Sequence, residues 1–135
     1  MLKVIFISSF LFIAFLSCQK DNAVEPFSYE RDTPVWLKFN PQSGRKQSGR
    51  RPALVISPLV YNNKTDLAIF CLITSQVKEY SFEVKLPDNL EIAGVILSDQ
   101  IKNLDWKTRE VEYICKLPNS QLTETLNKIN ALLNL

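Results

Sequence analysis

Histidine is absent from the 135 residues, and with it the commonest general base and the commonest zinc ligand. Histidine-based catalysis is excluded. Glycine occurs only three times, and no glycine-rich nucleotide loop, internal repeat or low-complexity segment is present. The three cysteines, Cys18, Cys71 and Cys115, have no CxxC spacing. The last two sit inside the apolar runs AIFCLIT and VEYICKL, where they read as buried thiols rather than disulfide partners or metal ligands. A net charge of +2 is too small to argue for nucleic acid by itself.

What is present is the material of one globular domain, with 46% hydrophobic and 22% charged residues. The positive charge is unevenly placed, because Arg45, Lys46, Arg50 and Arg51 fall within seven residues beside Gly44 and Gly49. Such a cluster is either a solvated loop or a phosphate-binding one.

The N-terminus has a different character. Lys3 precedes a mostly apolar stretch from Val4 to Leu16, interrupted by Ser8-Ser9 and followed by Ser17-Cys18-Gln19. That run is too short for a membrane-spanning helix, which needs about 20 residues, and has the layout of a secretory signal. The small residue before Cys18 resembles a lipoprotein cleavage box, with Cys18 as the lipidated residue. The alternative is a hydrophobic extension from a misassigned start. Residues 1–18 are therefore read as a signal-peptide-like segment, 19–33 as a polar linker and 34–135 as the folded domain.

From Pro34 onward, short runs rich in Val, Ile and Phe follow one another: VWLKF, PALVIS, LAIFCLIT, SFEVKL, GVILSD and REVEYICKL. Turn residues separate them, including Asn40-Pro41, Ser57-Pro58, Asn62-Asn63 and Pro87-Asp88-Asn89. Strands at this spacing predict a mainly β fold closing into a small barrel. In SFEVKL the alternation places Phe82, Val84 and Leu86 on the core face and Ser81, Glu83 and Lys85 on the other. After Pro118 the period changes: Asn119 can cap a helix in which Leu122, Leu126, Ile129 and Leu133 form one apolar stripe.

Several motifs then converge. Val35-Trp36-Leu37-Lys38-Phe39-Asn40-Pro41, with Gly44, Gln47, Gly49 and Arg51 to Pro58, is similar to the opening of toxins of the MazF/PemK family. Tyr61 to Thr65, Ile73 to Gln76, Tyr80, Phe82 to Val84 and Gly94 to Gln100, with Lys102 and Trp106, follow in that family's order and spacing. The resemblance covers about a hundred residues and none of the first thirty. It implies an SH3-like β-barrel of MazF/CcdB type with a C-terminal α-helix, working as a homodimer. It further implies metal-independent, sequence-specific cleavage of single-stranded RNA without any cofactor. The implied partners are single-stranded RNA, an acidic antitoxin of MazE type and, through the toxin–antitoxin complex, operator DNA. For such a toxin the compartment is the cytoplasm; a lipid-anchored exported protein is the alternative raised by residues 1–18.

The resemblance also assigns roles. Arg51 matches the catalytic arginine, whose planar fork can hold two phosphate oxygens, and Thr74 the threonine beside the scissile phosphate. Gln47, Arg50, Asp99 and Gln100 are further candidates for RNA contacts. The pattern breaks at Lys46, where the family has a glutamate. A lysine, with a usual pKa of about 10.4, is protonated at neutral pH and cannot accept the proton of a ribose 2′-OH. Asp66 and Glu79 stand where glycine is expected, and Leu72 and Ser81 where proline is expected. Each of these changes, Lys46 included, is reachable by one transition at a C:G pair. Impaired cleavage, capture of antitoxin or RNA without cleavage, a related-fold toxin acting on gyrase, and an exported lipoprotein are the competing readings.

Overall fold

The computed structural model describes residues 25–39 and 49–134. The apolar N-terminal segment with Cys18, and the loop residues Lys46 and Gln47, lie outside them. The described chain runs β1 (Pro34–Lys38), β2 (Arg50–Val55), α1 (Leu59–Thr65), β3 (Leu67–Thr74), β4 (Glu83–Lys85), β5 (Val95–Asp105), β6 (Glu112–Tyr113) and α2 (Asn119–Leu133). The strands form one antiparallel sheet in the order β4-β5-β3-β2-β1-β6. This is the mainly β architecture with a C-terminal helix that the sequence predicts. No helix among the described residues is long and apolar enough to cross a membrane.

The alternating strands bury two apolar clusters. One gathers Leu54, Ile56, Cys71, Ile73, Val84, Ile96 and Ile129, with Leu122 and Leu126 packed against it. The other holds Val35, Leu37, Ala53, Val55, Phe70 and Trp106. Cys71 and Cys115 are free buried thiols, as expected. Pro34, which lacks an N–H to give to a ladder, is tolerated because it begins β1.

Several expectations need correction. The stretch 19–33 is not a linker over its described end: Phe27 is 4% exposed within the second cluster. It rests against Tyr29 and Trp106. Its backbone N–H donates to Asn63 Oδ1 at 2.8 Å, and Asn63 Nδ2 returns a bond to its carbonyl at 3.0 Å. Asn62-Asn63 is not a turn but part of α1. Asn62 is fully buried, bonded to Ser57 and, through its carbonyl, to Trp106 Nε1 at 2.9 Å. These partners satisfy amides that would otherwise favour a turn.

Glu83 is buried rather than solvent-facing, because its carboxylate accepts N–H bonds from Lys78 at 2.8 Å and Glu79 at 3.0 Å. Asn119 is the first residue of α2 and not its cap; Pro118 takes that place without a side-chain bond. Within the stripe of α2, Ile129 is buried while Leu133 is 73% exposed, and Thr125 faces the core instead.

Candidate catalytic groove

Arg51 lies in β2 opposite Leu37 of β1, and Thr74 is the last residue of β3. A register shift between Cys71 and Ile73 lets the end of β3 change its partner residues on β5, and such irregularities re-aim the side chains that follow. The Thr74 hydroxyl then accepts the Gln76 N–H at 3.2 Å, turning the chain sharply out of the sheet. On the other side of Thr74 lies Gly94, at φ +119°, where an added Cβ would stand 2.0 Å from the Thr74 carbonyl oxygen. Only glycine fits that contact.

The result is a cavity of about 720 Å³. Arg51, Pro52 and Trp36 form one part of it, Leu72 to Gln76 another, and Glu91 to Ala93 with Leu97 a third. A smaller cavity of about 220 Å³ adjoins it through Thr74, Gln76 and Leu97, and is lined further by Lys78, Tyr80, Glu83 and Gln100. Arg51 and Thr74 are thus brought to one cavity, and Thr74 and Gln100 to its neighbour. Each cavity carries one cation, Arg51 in the larger and Lys78 in the smaller, of the sign that a phosphate backbone attracts.

The remaining candidates are placed differently. Asp99 accepts the Tyr80 hydroxyl at 2.7 Å, and that bond is the largest cause pushing the Tyr80 phenol up to about 12. Asp99 therefore fixes an aromatic ring at the smaller cavity. Arg50 is paired with Glu112 of β6 and does not line either cavity. Glu79 has φ +60° and Asp66 φ +59°, so both occupy the left-handed conformation that glycine adopts most readily. Among the described residues no group of three or more His, Cys, Asp or Glu side chains could hold a metal ion.

Glu91, Lys78 and Tyr80 are the groove residues that the sequence does not single out as site residues. Nothing in local spacing distinguishes Glu91, which comes to line one cavity with Arg51 and Thr74 only through the tertiary fold.

The model of the PemK-like, MazF-like toxins of type II toxin–antitoxin systems matches residues 31–133. The chain is similar to the endoribonuclease toxin MazF of Escherichia coli K12, at 39% identity over 99 residues, covering 73% of this chain and 88% of that one. Among solved structures it is similar to MazF of Deinococcus radiodurans, with a TM-score of 0.72 and 43% identity over 81% of this chain and 99% of that one. A MazE–MazF complex from the same organism gives a TM-score of 0.72 at 39% identity, covering 81% of this chain and 98% of its match.

Proposed function

Since the chain belongs to the PemK-like, MazF-like toxin family of type II toxin–antitoxin systems, we propose that it is an endoribonuclease toxin cleaving single-stranded RNA without a metal ion, with turnover lowered by Lys46. The observation that carries this reading is that Arg51 and Thr74 line one cavity. The ribose 2′-OH attacks the adjacent phosphorus, leaving a cyclic phosphate and a 5′-hydroxyl. Arg51, with its bidentate fork, neutralises the charge that grows on the phosphorane oxygens. Thr74 orients the phosphate beside it. Gln100 and the Asp99-braced Tyr80 offer hydrogen bonding and a stacking surface to a splayed base. Gln47 adds a contact from the loop, whereas Arg50, held by Glu112, serves the loop's base more than the RNA.

The relatives named as endoribonucleases and the MazE–MazF complexes support RNA as substrate and a MazE-type antitoxin as partner. The protein acts in the cytoplasm, where both occur, as a homodimer, with operator DNA reached through the antitoxin complex. Residues 1–18 act as an extension of this toxin; lipid attached at Cys18 would instead place the protein at a membrane.

A metal-free assay on single-stranded RNA with EDTA tests the reading. The parent chain is expected to cleave weakly and Lys46→Glu strongly, since general-base assistance contributes about 10²- to 10⁴-fold. Lys46→Glu/Arg51→Ala is expected to be inactive. A second reading, capture of antitoxin or RNA without cleavage, is favoured by the replacement of a carboxylate with a cation at Lys46. Silence of both the parent and Lys46→Glu, with RNA still bound, would establish it.

A further inference from the structure

Cleavage by the 2′-OH needs a proton acceptor, and the Lys46 ammonium offers none at neutral pH. Resting on the ribonuclease reading, we propose that Glu91 is the proton acceptor of the chain's residual RNA cleavage, working in the cavity it shares with Arg51 and Thr74. Three observations carry this.

Glu91 supplies the one carboxylate among the described residues lining the cavity of about 720 Å³. Its side chain is exposed and enters none of the ion pairs found among the described residues. The carboxylates of Glu83 and Asp99, by contrast, already accept hydrogen bonds. The segment bearing Glu91 is also well anchored. Ile92 is 8% exposed in the first cluster, and Gly94 is pressed on the Thr74 carbonyl. The backbone that carries Glu91 is thereby fixed beside the segment that abuts the phosphate-side threonine.

In the step proposed, the 2′-oxygen forms a bond to phosphorus and its proton passes to the Glu91 carboxylate. The bond from phosphorus to the 5′-oxygen breaks, its electron pair stays on that oxygen, and water supplies the proton that makes the 5′-hydroxyl. Arg51 carries the charge of the intermediate. Glu91 then returns its proton to solvent.

An idle carboxylate at this place would repel the RNA backbone, so its removal would tighten binding and leave or raise turnover. The two cases differ in sign. Glu91→Gln is expected to lower kcat about 10²-fold or more while RNA affinity is kept or improved. Glu91→Ala is expected to regain turnover with added acetate, which a structural loss would not do. In the Lys46→Glu background Glu91→Gln is expected to cost little, because a second acceptor is present. Unchanged or faster cleavage by Glu91→Gln overturns the assignment and leaves the ribonuclease reading intact, as does a silent parent beside an active Lys46→Glu. Silence of both the parent and Lys46→Glu overturns the ribonuclease reading itself.

Discussion

Gly94 and Thr74 meet where a methyl group on the glycine would overlap the threonine carbonyl oxygen, 2.0 Å away. Backbone stands on both sides of that contact, so no side chain can rotate to relieve it. Gly94→Ala is therefore expected to cost at least about 3 kcal/mol, combining a disallowed φ with a forced shift of β3. The same substitution displaces Thr74, so RNA cleavage falls further than the loss of folded protein accounts for. Urea unfolding beside specific activity per folded molecule checks both parts; an unchanged midpoint would contradict the contact. Glu79 and Asp66 show the opposite circumstance, because their left-handed conformations are borne by residues with a Cβ. Each stores strain of about 1 kcal/mol that a glycine would not.

At the scale of elements, α2 is tied to the sheet by apolar packing of Leu122, Leu126 and Ile129 and by Lys128 Nζ, which donates to the Glu83 carbonyl at 2.7 Å. Leu126→Asp is expected to destabilise the chain by about 3 kcal/mol through an unpaired, half-buried charge. Leu133→Asp, at a position 73% exposed, is expected to stay within about 0.5 kcal/mol of the parent. Paired urea melts decide this, and equal effects would mean that the end of α2 is covered by a second copy. The helix was legible in the sequence because Leu122, Leu126 and Ile129 recur at its period. The strands were legible because Val84 and Leu86 alternate with a polar residue. What local pattern could not convey was partnership. Asn62 and Asn63 carry turn-favouring amides, and only the fold supplies the Ser57 and Phe27 groups that hold them in a helix. Glu83 looked solvent-facing for the same reason. Arg51 and Thr74 became visible through resemblance, whereas Glu91 needed the tertiary structure.

For the whole molecule, the domain begins earlier than its first strand. Phe27→Ala is expected to cost about 3 kcal/mol, the usual magnitude for emptying a buried aromatic site, and thermal unfolding of a chain beginning at Glu25 measures it. A loss below about 1 kcal/mol would restore the linker reading of 19–33. Burial acts on the thiols as well, chiefly by desolvation, pushing Cys71 from 9.0 up to about 12. The folded state thus favours the protonated thiol. The stability this contributes is complete below pH 9 and is lost as pH rises toward 12. Urea midpoints across that range should fall less steeply for Cys71→Ala than for the parent. The sealed thiol also serves as a clock. Alkylation requires a thiolate exposed to reagent, so Cys71 in a Cys115→Ser chain beginning at Glu25 can be labelled only in molecules that have opened. Its labelling rate at pH 8 then counts openings of the central β3 strand, one molecule at a time, under conditions in which the protein remains native and no denaturant is needed.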